Sequence, residues 1–211
     1  MAAVSPRAVG GGEYNEHMAG DDVDPLVLAD TVAWRAWLDL NEETSDGVWL
    51  MLAKKGTISP TSLSYAEALD EALCSGWIDG QRKSLDATTF RQRFTPRRAR
   101  SIWSQRNVEY TARLFAEDRM RPRGHAEIDA AKADGRWERA YAGPSGAEVP
   151  PDLAAALDAD TAAAELFATL DSRNRYAVLH RVLTAPNETV RARRLAKLVA
   201  MLSRGETPHP R

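Results

Sequence analysis

The chain has 211 residues, enough for one full-sized domain or two small ones with a buried core, and its 44% hydrophobic and 27% charged content is that of a globular protein. A formal net charge of −2 excludes a uniformly basic nucleic-acid binder, though not a local basic patch. The single cysteine, Cys74, excludes an internal disulfide and suits a reducing compartment. With no apolar run of signal-peptide length near the start, and none approaching the ~18 to 20 residues of a membrane span, the expected location is the cytoplasm.

Residues 1–24, with Gly10-Gly11-Gly12 and Asp21-Asp22, lack apolar periodicity and read as a flexible arm. Order is expected from Pro25. Asp30 or Thr31 can cap a helix that puts Trp34, Trp37 and Leu38 on one face. Val48-Trp49-Leu50-Met51-Leu52 is a short apolar run after Gly47 and fits a buried strand, with a helix as the alternative. Ser64 and Glu67 form a capping box ahead of Tyr65, Leu69, Ala72 and Leu73, and Gly76 supplies the stop, so the spacing predicts a helix over 64–75.

From 77 to 95 the period changes to two. Phe90, Gln92 and Phe94 alternate with Arg91, Arg93 and Thr95, which places the phenylalanines on one face of a strand and the arginines on the other. Trp77-Ile78-Asp79 is the expected antiparallel partner, with a loop around Ser84 to Ala87. Thr95-Pro96 reads as a helix start, continued by Trp103, Asn107, Tyr110 and Leu114. Another helix is predicted over about 123–134, ended by Gly135, and Trp137 and Tyr141 close this α+β portion at 25–141. Residues 142–151 read as a linker. Three short helices follow in 152–205, with stripes Ala163/Leu166/Phe167/Leu170, Tyr176/Leu179/Leu183 and Leu195/Leu198/Val199/Leu202, the last capped by Asn187 and stopped by Gly205. They predict a small helical bundle, followed by a tail at 206–211. The fold class is therefore α+β: a small antiparallel sheet packed by helices, then a helical bundle.

The charge is concentrated in one place. Residues 82–106 carry Arg82, Lys83, Arg91, Arg93, Arg97, Arg98, Arg100 and Arg106 against Asp86, eight cations to one anion in a chain at −2. If Thr95-Pro96 opens a helix, Arg97, Arg98 and Arg100 lie in or near its first turn, a placement that disfavours cations but suits an anion site built with the free N–H groups. The plainer alternatives are a solvated face or pairing with the chain's acidic residues. Asp79 is either a salt-bridge partner of Arg93 or Arg97 or a group that fixes a ligand's amino or hydroxyl. Asn107 ties helix to sheet or faces a pocket. Trp77 and Trp103 are core side chains or stacking faces for a ring.

His17, His125, His180 and His209 are scattered without ligand spacing, so no metal site is expected. No GxGxxG, P-loop or GxSxG motif is present, and neither a cofactor nor a catalytic group is expected. Cys74, among apolar neighbours on a helix, reads as a packing thiol.

Ala72-Leu73-Cys74-Ser75-Gly76-Trp77-Ile78-Asp79-Gly80, then Phe94-Thr95-Pro96-Arg97-Arg98, Ser101-x-Trp103-Ser104 and Asn107, resemble the YdeI/OmpD-associated family, also described as bacteriocin-protection proteins. Gly47-Val48-Trp49-Leu50, Gly135-Arg136-Trp137 with Ala140-Tyr141, Pro150-Pro151-Asp152-Leu153 and Arg193-Arg194 extend the resemblance over about 25–205. Ser75 departs from it, standing where members often carry an aromatic. The resemblance implies a link to tolerance of bacteriocins or antimicrobial peptides and no known catalytic mechanism. Taken with the charge pattern, the expectation is a non-catalytic binder of an anionic, phosphate-bearing ligand such as a nucleotide. Arg91, Arg93, Arg97 and Arg98 would hold the anion, Trp77 or Trp103 would stack on its organic part, and Asp79, Ser104 and Asn107 would fix polar groups. An interaction module gripping an acidic protein partner, or a nucleic-acid binder, is the alternative.

Overall fold

The computed structural model describes residues 23–210, so the expected arm over 1–24 lies almost wholly outside the described residues. The chain is α+β, as its patterning predicts. Helix α1 (Thr31–Asn41) begins where the Asp30 carboxylate accepts from the Ala33 N–H at 2.9 Å. Strand β1 (Val48–Ala53) follows, then α2 (Tyr65–Cys74), whose Ser64/Glu67 capping box is fully formed. Gly76, at φ +68°, turns the chain directly into β2 (Trp77–Ser84).

Strand β3 (Thr89–Pro96) lies in the middle of a three-stranded antiparallel sheet of order β1-β3-β2. The β2–β3 turn is organised by Asp86, whose carboxylate accepts from the N–H and hydroxyl groups of both Thr88 and Thr89 at 2.7–2.8 Å. A register shift between Asp79 and Arg82 bulges β2. The alternation expected of β3 holds: Phe90, Gln92 and Phe94 are buried, while Arg91 and Arg93 turn to the opposite face. The inward side chains meet α1 and α2 in a core of Trp34, Leu38, Leu50, Leu52, Leu69, Trp77 and Phe94.

The next helix departs from expectation. Thr95 and Pro96 do not open it; they finish β3, paired with Ile78 and Trp77, and the Arg97 N–H extends the ladder by donating to Gly76 O at 3.0 Å. A proline ends a strand as readily as it starts a helix, and the partner strand decides the matter. Residues 97–103 form a loop, and α3 (Gln105–Ala116) starts only at Ser104, whose hydroxyl accepts from the Asn107 N–H. Arg97, Arg98 and Arg100 therefore sit on no helix terminus.

Helix α4 (Pro122–Ala133) ends at Gly135. The C-terminal part holds four helices, not three. Residues 144–146 turn as composition suggests, but Pro151 opens α5 (Pro151–Asp158), ahead of α6 (Thr161–Thr169), α7 (Ser172–Leu183) and α8 (Glu188–Ser203). Leu153 and Leu157 of α5 pack with Phe167, Val178, Leu179, Leu198 and Leu202 in a second core. A third small cluster joins Trp103 to Ile128, Ala131 and Trp137.

Candidate functional site around Tyr141

The nine residues singled out by sequence fall into separate places. Trp77 is wholly buried, its indole N–H donating to Glu42 O at 3.4 Å and its ring edge-on to Trp34 and Trp37, so it offers no stacking face. Arg91 and Arg93 lie on the outer face of the sheet. The Arg91 guanidinium covers the Trp49 ring at 4.8 Å and donates to Val23 O at 2.9 Å. Burial lowers the Arg93 guanidinium from its ordinary value, with Asp46 opposing. Arg98 is exposed, and its backbone N–H is taken by Ser101 Oγ at 2.9 Å.

Asp79, Arg97, Trp103, Ser104 and Asn107 do come together, where β2, the 97–104 loop and the start of α3 meet. Asp79 Oδ2 accepts from the Tyr65 hydroxyl at 2.8 Å, and burial together with that carboxylate holds the Tyr65 phenol well above its usual range. Arg106 lies 5.8 Å from the Tyr65 ring centre and donates from Nε to the Tyr110 hydroxyl at 3.1 Å. At Asn107 the backbone N–H donates to Ser104 Oγ and the carbonyl accepts from Thr111 Oγ1 at 2.6 Å, which ties this turn of α3 together.

Arg97 is the anomaly of the group. It is only 4% exposed, its guanidinium lies 3.5 Å above the centre of Trp103, and Nη1 donates to Ile102 O at 3.2 Å. Nε and Nη2 are buried without an acceptor among the described residues, as is Trp103 Nε1. Burial pulls the guanidinium down to about 10, against the influence of Glu127 and Asp79, and it stays charged at neutral pH. Each orphaned donor costs roughly 1–3 kcal/mol, while a desolvated cation–π contact returns ~2 kcal/mol. Arg97→Met is therefore expected to leave the unfolding free energy unchanged or higher by about 1 kcal/mol in urea titrations. A loss of some ~3 kcal/mol would make the guanidinium a structural support instead.

The neighbours of Arg97 also wall the cleft nearest to it. Tyr141 N–H donates to Trp103 O at 3.0 Å and Tyr141 O accepts from the Gln105 N–H at 2.9 Å, so this residue stitches the loop before α3 to the segment entering the bundle. Its ring meets His180 of α7 edge-on, centres 4.8 Å apart. Beside it opens a cleft of about 350 Å³ bounded by Ala99, Arg100 and Ile102 on one side and Leu183, Thr184 and Pro186 on the other. Arg136 and Arg139 complete its wall, with Asp134 the one carboxylate. Arg136 Nε holds that carboxylate at 2.7 Å and Nη1 donates to Ser101 O at 3.0 Å; Arg139 Nη2 donates to Asp134 O at 3.1 Å. Arg100 is exposed.

Arg106 belongs to the basic stretch, whereas Tyr65, Arg136, Arg139 and His180 lie outside it and charge counting does not find them. Arg136 and Tyr141 had a signal only as part of the Gly135-Arg136-Trp137…Tyr141 pattern. Ser75, the departure from the family pattern, is fully buried and its hydroxyl accepts from Arg121 Nη1, so a guanidinium occupies the space beside it. Cys74 is buried, and desolvation pushes its thiol up to about 11, as befits a packing residue. Among the described residues no group of three or more His, Cys, Asp or Glu is placed to hold a metal, and no helix is long and apolar enough to cross a membrane.

Two family models match the chain, each over part of it. Residues 26–127, the sheet with α1 to α3 and the start of α4, match a domain of unknown function, DUF8412. Residues 146–205, the four-helix part, match the model described as bacteriocin-protection, YdeI or OmpD-associated. No curated protein and no solved structure matches. The resemblance drawn from the sequence has its densest motifs at residues 72–107 and extends over about 25–205, whereas the match to that family's model covers only 146–205. The chain thus matches the bacteriocin-protection, YdeI or OmpD-associated model over residues 146–205, behind a sheet-bearing stretch that matches a model of a different description.

Proposed function

We propose that the protein is a non-catalytic binder of a phosphate-bearing small molecule, a nucleotide by preference, held in the cleft beside Tyr141. The observation that carries this reading is the wall itself: Arg100, Arg136 and Arg139 face a hollow whose one carboxylate, Asp134, is already engaged by Arg136. Ile102, Leu183 and Pro186 supply apolar surface for an organic portion, and a volume of about 350 Å³ suits a small ligand. Guanidinium pairs recognise phosphate oxygens by charge-assisted hydrogen bonds, each contributing roughly 1.5–3 kcal/mol. The words bacteriocin-protection in the description of the matched model are the ground for linking this binding to bacteriocin tolerance.

Calorimetric titration with AMP, ATP and inorganic phosphate tests the proposal. Arg100→Ala/Arg139→Ala is expected to weaken nucleotide binding by a factor of at least about 100, since two such contacts are removed. Wild-type protein that responds to none of the three, or a double variant that binds as well as wild type, would sink it.

A further inference from the structure

The cleft beside Tyr141 does not stand alone. A second hollow of about 650 Å³ is also lined by Tyr141, with Ser172, Arg173, Tyr176, His180, Arg181 and His209 around it. Among the described residues no carboxylate lines it. Both hollows run along one helix. Arg173, Tyr176, Ala177, His180 and Arg181 border the second, Leu183 and Thr184 the first. Those positions recur at i, i+3, i+4, i+7, i+8, i+10 and i+11, which is one face of an α-helix. The face that packs into the bundle is a different one, formed by Asn174, Val178, Leu179 and Val182. At 1.5 Å per residue, the stretch from Arg173 to Thr184 is about 16 Å long.

Along that length the chemistry is ordered. Arg173 and Arg181 stand exposed in the second hollow, and Arg100, Arg136 and Arg139 line the first. Three rings stand among these arginines, joined through His180: Tyr141, which lines both hollows, is edge-on to it at 4.8 Å, and Tyr176 is tilted against it at 5.6 Å. The floor is pinned, because the Tyr176 hydroxyl donates to Ala142 O at 3.3 Å and the His209 N–H donates to Asn174 Oδ1 at 2.8 Å. Among the described residues, five arginines and two histidines thus face one aspartate across the two hollows.

We infer that the two hollows form one trough along α7 and that it takes a single-stranded nucleic acid. The inference rests on the first cleft receiving a phosphate, as proposed above, and extends it to a ligand with phosphates at both ends of the trough. A mononucleotide satisfies one basic end and leaves the other facing water. A strand places a phosphate at each end and its bases over the rings between, and base–aromatic stacking is indifferent to sequence. A duplex keeps its bases stacked inside and cannot use half-buried tyrosines in this way. An acidic peptide would use the arginines but leave the rings idle.

The test is fluorescence anisotropy of the full chain with a labelled 12-nucleotide uridine oligomer, beside calorimetry with AMP. The oligomer is expected to bind at least about tenfold tighter than AMP, with log affinity falling linearly against log salt. Arg173→Ala/Arg181→Ala, at two exposed positions, is expected to weaken the oligomer about tenfold and leave AMP unchanged. Oligomer affinity equal to that of AMP, a flat salt response, or displacement by polyglutamate as effective as by unlabelled oligomer each overturns the inference. AMP binding that survives any of those results leaves the small-ligand reading intact. Silence towards AMP, phosphate and oligomer alike removes both.

Discussion

Glu71→Ala is expected to lower the unfolding free energy by about 3–5 kcal/mol, the usual effect of stripping one partner from a buried ion pair. Glu71 is 4% exposed on the inner face of α2. Its two carboxylate oxygens take Arg119 Nη2 at 2.8 Å and Arg121 Nη2 at 3.1 Å. Arg119 keeps Glu117 at 3.1 Å and Asp70 at 3.7 Å when Glu71 is gone. Arg121 fares worse, because it is buried and its other carboxylate, Asp39, sits at 3.3 Å on an exposed side chain. Arg121 also joins α2 to the start of α4, its backbone N–H donating to Cys74 O at 3.1 Å. For a chain of this length the loss corresponds to a fall in Tm on the order of 10 °C. All six tryptophans lie between Trp34 and Trp137, so urea titration by tryptophan fluorescence reads this part of the molecule. A midpoint within experimental error of wild type would mean the network contributes nothing.

A loss of similar size, about 3–5 kcal/mol, is expected for Trp34→Ala. The Trp34 side chain is 0% exposed, and its indole N–H donates to Ala68 O at 3.1 Å, fastening α1 to α2. The ring is stacked on Trp37 with centres 5.2 Å apart and planes 16° from parallel, and it meets Phe94 of the central strand at 5.7 Å. Truncation opens a cavity against the sheet, removes these ring contacts together with the edge-on one to Trp77, and leaves a carbonyl without its donor. Trp34→Phe keeps most of the volume and isolates the hydrogen bond, so its loss should be nearer 1 kcal/mol. Urea titration followed by far-ultraviolet circular dichroism measures both variants. Equal losses from the two would refute the cavity as the main cause.

The elements that read cleanly from sequence are those whose signals are local. Ser64 and Glu67 are three residues apart, and the box they form is complete in the structure. Asn187 caps α8 through Val190, and the alternation of Phe90, Gln92 and Phe94 needs only its own strand. The errors come where a distant partner decides. Thr95-Pro96 carries the composition of a helix start, but Ile78 and Trp77 bind it into a sheet. Pro150-Pro151 looks like linker, yet Pro151 loses nothing by lacking an N–H in the first turn of α5, whose Leu153 and Leu157 find partners in helices further along.

The site follows the same division. The surplus of arginine over 82–106 is visible by counting, while the direction of each side chain is not. Arg91 and Arg97 differ by six residues, yet one covers Trp49 on the outside of the sheet and the other is sealed beneath the 97–104 loop against Trp103. The cleft beside Tyr141 is assembled from residues 99–102, 134–141 and 183–186, segments with no shared periodicity. Only folding brings them within reach of one ligand.

One part of the basic stretch has a duty that involves no ligand. Among the described residues strand β2 pairs on one side only, with β3, so its far side presents peptide groups to other molecules. Such a rim invites a foreign strand to zip on, the first step of aggregation. Here the bulge between Asp79 and Arg82 throws the rim out of register, and Arg82 and Lys83 stand along it, Arg82 laid over Phe90 at 3.8 Å. An incoming copy of the same strand would bring its own pair of cations against them, so like charge guards the margin of the sheet against self-association.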